Sequence, residues 1–324
     1  MGERIGWLDK ARAIGIVAVV IGHVTRDPAT WAAMFHFHLP LFFMASGMVF
    51  TPRPWRETAR RQAVSLLLPY VMWLALVAVI DVAIAAALGH RTYLPWDRPM
   101  VAIARMALGG TYLVGPFGIF WFVTCLYLVQ IAGSAVVRRG GRSVWIAAVA
   151  ALGIAHVMHH WPSPWGMIGV PLGLFFFLAG VLYRRHLARL GRGAMLAAGA
   201  MAALVLVTAP LDIKIADYGT PVASSVAAPG LCHLIFVAAR YVPSPPLAAI
   251  GQASLVIMYA HLTIAYALRD RLPDAVVIVL AVAAPTGLWW LLRRSAVTAR
   301  LLLGERRTTA LATIAGARRR SPSA

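Results

Sequence analysis

The chain has 324 residues, 60% hydrophobic and only 13% charged, with a mean hydropathy of +0.76. Soluble domains carry about a quarter charged residues, so a soluble core is excluded and an all-α polytopic membrane protein is expected. The net charge of +19, from 30 basic and 11 acidic side chains, could serve nucleic acid, but the arginines gather in short loops between apolar runs. That is the pattern of membrane topology, and nucleic acid is not an expected partner.

Apolar runs separated by charges or by Pro and Gly predict ten membrane helices. Their spans are 8–25, 36–51, 63–88, 116–137, 143–159, 167–184, 193–211, 222–241, 248–268 and 274–293. The first run could pass for a signal peptide, but Thr25-Arg26-Asp27-Pro28 is a poor cleavage site, so a retained helix is expected. Near its start, Asp9 and Arg12 are three residues apart and can pair on one face. His23 follows Arg12 by eleven residues. At about 100° per residue the two share a face, about 16 Å apart along the axis. Arg12 suits phosphate by forked hydrogen bonds, or it simply anchors the positive side of the helix. His23, deep in an apolar run, is either a functional base or a hydrogen bonder between helices.

The second run begins with Phe35-His36-Phe37-His38-Leu39-Pro40, and Pro40 fits the first turn of a helix. In an extended segment His36 and His38 would point the same way. A third metal ligand is not evident, and no metal is expected. His36 also fits an interfacial aromatic belt. Asp81 in the third run is a costly buried acid, either paired with a histidine or protonated and hydrogen-bonded. The segment from about 89 to 115 lies outside, along the membrane surface or over a cavity. Cys125 and Cys232 sit in apolar runs and read as inert buried thiols.

Arginine counting orients the chain. The arginine-rich segments are the N-terminus, 51–62, 138–142, 184–192, Arg240 and the tail, and they alternate with arginine-poor ones. Both termini should be cytoplasmic. Residues 1–294 read as a membrane domain and 295–324 as a basic cytoplasmic tail. Leu301 to Leu303 suit a helix on anionic lipid, while the residues after 304 equally suit a solvated tail.

Several motifs occur in order: Leu8-Asp9-Lys10-Ala11-Arg12 with His23, then His38-Leu39-Pro40-Leu41-Phe42-Phe43 through Ser46-Gly47. Arg61 with Leu66-Leu67-Leu68-Pro69-Tyr70, Trp121-Phe122-Val123, and Ile250-Gly251-Gln252-Ala253-Ser254-Leu255 with Tyr259 and His261 follow. Together they resemble the membrane acyltransferase 3 family, and within it the fucose 4-O-acetylases and related acetyltransferases. The likeness covers about residues 8–268. Ala13 stands where many members have Gly, and Val123 where Leu is usual. The extracytoplasmic hydrolase-like domain of some members is not part of this sequence.

The resemblance implies transfer of an acyl group, often acetyl from acetyl-CoA, to a hydroxyl of a glycan or a lipid-linked saccharide. It makes Arg12 and His23 the arginine–histidine pair needed for activity. The expected partners are acyl-CoA, the acceptor and membrane lipid, with no permanently bound cofactor. The expected location is a cell membrane, the bacterial inner membrane. In this scheme the nucleotide phosphates meet Arg12 and the basic 53–61 loop, including Arg60 and Arg61, and the pantetheine arm carries the thioester to His23. His23 then acts as general base, or becomes acylated in a relay. His38 and His261, toward the outer side, orient the acceptor or complete proton transfer. Trp121, Tyr70 and Tyr259 either stack on a sugar or pack in the core. A small-molecule permease is the alternative, although no internal repeat of the transporter kind is present.

Overall fold

The computed structural model describes residues 6–89, 91–158, 161–186 and 191–305. Among these, regular structure is helical apart from one antiparallel bridge between Asp212 and Asp217. The helices are α1 (Gly6–Val24), α2 (Pro28–Phe35), α3 (His38–Val49), α4 (Trp55–Gln62), α5 (Leu68–Leu88), α6 (Pro99–Leu108), α7 (Trp121–Arg139) and α8 (Ser143–Val157). They continue with α9 (Val170–His186), α10 (Arg192–Ala203), α11 (Ala223–Tyr241), α12 (Pro245–Gln252), α13 (Ser254–Leu268), α14 (Asp274–Leu292) and α15 (Ala296–Leu303).

A helix occupies each of the ten predicted spans, but length and composition qualify fewer of them as membrane crossings. Among the described residues six helices are long and apolar enough, or seven if the α12–α13 pair, bent by 75°, is one span. The first helix carries Asp9, Lys10 and Arg12, and α8, at 15 residues, is about 22 Å long against a hydrocarbon core of about 30 Å. Two other predicted spans begin at a helix irregularity. The α2–α3 junction falls at His36–Phe37, and α4 runs into α5 through a π-helical turn at Ala63–Leu67.

Lipid supplies no hydrophobic drive between helices, so close approach depends on small residues. A Cβ on Gly47 would overlap the Phe177 carbonyl, and one on Gly180 would overlap the Met44 carbonyl, so α3 and α9 meet backbone to backbone. In the same way Gly251 lets α12 lie against the Asp9 carbonyl of α1. Phe43, Phe176, Phe177 and Phe236 fill the space between these helices and are fully buried.

The loops gather at two ends. At one, Lys10 Nζ donates to the Val242 carbonyl, and Arg184 Nη1 donates to the Phe50 carbonyl at 3.4 Å. There too α15 docks on α5, with the Trp73 indole N–H on the Leu302 carbonyl at 2.9 Å. The first part of the basic tail is therefore a packed helix, and the tail arginines beyond 305 lie outside the described residues. At the other end Arg26 pairs with Asp270 at 3.5 Å, and its backbone N–H reaches Asp274 at 3.1 Å. Ser163 N–H there donates to Thr111 Oγ1 at 2.7 Å. In the outer segment α6 buries Ala102 and exposes Met100, Val101 and Ile103, while residues 91–93 help line a cavity of about 380 Å³.

Candidate active site

Three histidines from three helices meet beside the end of α1. His23 lies in the last turn of α1, His38 opens α3, and His261 lies in α13. The His23 ring centroid is 5.3 Å from that of His261 and 6.3 Å from that of His38, and Phe35 wedges against both His23 and His38 at 5.8 and 4.6 Å. Each histidine places Nδ1 against a carbonyl of its own turn: His23 on Val19 at 2.7 Å, His38 on Met34 at 2.8 Å, and His261 on Ile257 and Met258 at 2.9 and 2.8 Å. A carbonyl oxygen can only accept, so Nδ1 carries the proton and each neutral ring presents a basic Nε2. His38 and His261 are sealed, at 1% and 0% exposure, while His23 keeps part of its surface open. Nε2 of His261 is buried without a hydrogen-bond partner.

His36 does not join them. The turn between α2 and α3 is helical, so the alternation expected of an extended segment does not apply. The His36 ring lies between the Ala32 and Thr208 carbonyls at 2.6 and 3.1 Å. It is buried in protein, where the sequence also allowed an interfacial belt.

At the opposite end of the same face of α1, Arg12 pairs with Asp9 at 3.5 Å, and Asp9 also accepts from Gln252 Nε2 at 3.3 Å. A slot of about 360 Å³ starts there. Its walls include Arg12, Ile16 and Val19 of α1, with Leu39, Phe42, Ile119, Phe122 and Met258 opposite. Arg12, Ile16, Val19 and His23 step by four, three and four residues, so they form one stripe on the helix. The slot thus descends that stripe to Val19, whose carbonyl holds the His23 ring. At its mouth it shares Ser46, Val49, Gln62 and Gln130 with a more polar hollow of about 210 Å³. Arg53 and Arg61 line this hollow, both tied to Glu57, at 3.0 and 2.9 Å. An apolar channel with a basic, hydrogen-bonding mouth fits a molecule with a phosphorylated head and a long thin arm.

The sequence placed Arg12, Arg61, His23, His38 and His261 in the site, and the fold brings them to the two ends of this arrangement. Arg60 is exposed on α4 and does not line the hollow. Trp121 lies with its indole against Gly166 and Gly169, and Tyr259 stacks on Trp73 at 5.7 Å and leans on Phe120 at 5.0 Å. Both are packed among core side chains, as is Tyr70 against Phe120. Asp81 accepts the Tyr93 N–H at 3.0 Å and borders the separate outer cavity, so it pins a loop and pairs with no histidine among the described residues. Sequence reasoning passed over Gln62 and Gln130. Gln130 is a polar residue in an apolar helix, donating to Ser46 Oγ at 3.0 Å, and that misfit was its only signal. Cys125 and Cys232 are free and buried. No group of three or more His, Cys, Asp or Glu among the described residues is arranged to hold a metal ion.

This helical frame with its buried histidines and arginine-flanked slot is that of a multi-pass membrane enzyme. Residues 5–294 match the family model described as an acyltransferase domain, and the chain belongs to this acyltransferase 3 family. No curated protein and no solved structure matches the chain.

Proposed function

We propose that the chain is an integral-membrane O-acyltransferase, most simply an O-acetyltransferase, moving an acyl group from cytoplasmic acyl-CoA to a hydroxyl of a cell-envelope glycan or related acceptor. The observation that carries this reading is the slot running from Arg12 down one stripe of α1 to the residue that holds His23. The CoA phosphates bind at the mouth, between Arg12, Arg53 and Arg61. The pantetheine arm lies along Ile16, Val19 and Met258, where an uncharged chain loses little on leaving water. The thioester then stands near His23, whose Nε2 takes the proton of the acceptor hydroxyl as that oxygen attacks. His38 and His261 hold the outer side of the same point. The topology that suits this reading puts the arginine-rich end in the cytoplasm. A permease would need no such acyl-CoA slot, and the family match favours the transferase.

The test is mass spectrometry of envelope glycans from cells with the chain, without it, and with His23→Ala. An added acyl mass should appear only with the native chain, while the variant accumulates in the membrane at native level. The same added mass in the His23→Ala cells would overturn the assignment.

A further inference from the structure

The segment joining α10 to α11, residues 207–222, does not stay outside as a simple loop. Leu211, Ile213, Ala216 and Tyr218 are buried in the helical frame. Tyr218 donates its hydroxyl to the Ile168 carbonyl at 3.1 Å, and Val222 N–H donates to His156 Nε2 at 3.0 Å. Asp212 and Asp217 exchange backbone hydrogen bonds at 2.7 and 3.0 Å, closing a tight turn, and Asp212 Oδ1 accepts the Lys214 N–H at 3.0 Å.

The turn directs Lys214 into the protein. Its ammonium donates to the Leu113 carbonyl at 3.3 Å. It also lies 3.4 Å from where a Cβ on Gly118 would stand, a point 3.8 Å from Leu262, the neighbour of His261. Its positive charge acts on the His23 ring. Burial pulls the Lys214 ammonium below the ordinary lysine range, against the pull of Asp212, and pushes the Asp212 carboxyl up.

The histidines leave a need that this cation fills. All three spend their Nδ1–H on backbone carbonyls, so as neutral rings they offer lone pairs and no donor. Acyl transfer builds negative charge on the carbonyl oxygen, which requires a donor or a cation. Arg12 is about 16 Å away along α1. An ammonium has three donors, and Leu113 takes one.

We propose that Lys214 is a catalytic residue of the transfer step, contacting the acyl carbonyl oxygen and holding the charge that gathers on it. This rests on the acyltransferase reading above. The acceptor hydroxyl gives its proton to His23 Nε2, and its oxygen forms the new bond to the thioester carbon. The carbonyl π pair moves onto oxygen beside Lys214. The pair then returns, the C–S bond breaks, and the departing CoA sulfur takes the proton back from His23. The products are the ester and free CoA.

Membrane vesicles from cells expressing the full chain carry the endogenous acceptor and can be given [14C]acetyl-CoA, with CoA binding followed by tryptophan fluorescence. Lys214→Gln should lower turnover at saturating acetyl-CoA by about a hundredfold, the size of a lost oxyanion donor, while CoA affinity stays within about threefold. Lys214→Arg, which keeps the charge, should recover roughly a tenth of the native rate or more. Lys214→Gln turning over within about threefold of native overturns the proposal. So does loss of CoA binding together with turnover in both variants, which marks a structural role for the turn. If the native chain transfers no label, the acyltransferase reading itself fails, and the role of Lys214 falls with it.

Discussion

Arg12 and His23 occupy one stripe of α1, and the proposed transfer gives them separable work, one on the donor's head and one at its reacting end. Charge-assisted hydrogen bonds contribute about 1.5–3 kcal/mol, so Arg12→Ala should raise the KM for acyl-CoA by roughly ten- to a hundredfold. Maximal turnover should change little, because the head is bound alike in ground and transition states. Steady-state kinetics in vesicles checks this, and a fall in turnover at unchanged KM would contradict it. Both residues were legible in the sequence because charge and imidazole are costly in an apolar run. His38 and His261 were legible from their motifs. Gln62, Gln130 and Lys214 were not marked as site residues. They lie on segments whose position relative to α1 comes from tertiary packing, which no local pattern encodes.

At the scale of elements, the site depends on helices that touch at glycine. The α1–α12 contact sets Asp9 against Gln252 and so fixes the ground on which Arg12 stands. Gly251→Ala places a methyl on the Asp9 carbonyl, a clash with backbone that should cost about 1–3 kcal/mol. A lowered melting temperature in detergent and weakened CoA binding are expected. Gly287→Ala in α14, where the added carbon meets nothing within 4 Å, should leave the melting temperature unchanged or raise it. Equal melting of Gly251→Ala and the native chain would contradict the packing. The sequence showed where the helices are, since apolar runs are local. It did not show the breaks at His36–Phe37 and at Ala253, or the inward course of 207–222. Those bends form only because other helices satisfy the interrupted backbone.

For the whole molecule the arrangement has two chemically different ends, one rich in arginine with the slot mouth, the other with the histidines and the 207–222 turn. In the proposed transfer the donor reaches the first end and the acceptor the second. Single cysteines replacing the exposed Arg56 and Arg271 should report opposite sides with a membrane-impermeant maleimide. Position 271 should label in intact cells and position 56 only after permeabilisation, the buried native cysteines staying silent. Labelling of both positions in intact cells would contradict the topology. The alternation of arginine-rich and arginine-poor loops is the compositional ground for this expectation. The number of crossings is less legible, because α8 and α10 are short and α1 carries Asp9, Lys10 and Arg12.

The central claim is that acyl-CoA lies in the slot with its head at Arg12 and its acyl end at His23. A CoA thioester carrying a short photoreactive diazirine acyl group, irradiated with the full chain in vesicles, tests it most directly. Peptide mapping should find the cross-link on the inner end of the slot, at Val19, His23 or Met258, and excess CoA should suppress it. Cross-linking at the outer cavity beside Asp81 and Tyr93, with none on α1, would contradict the account.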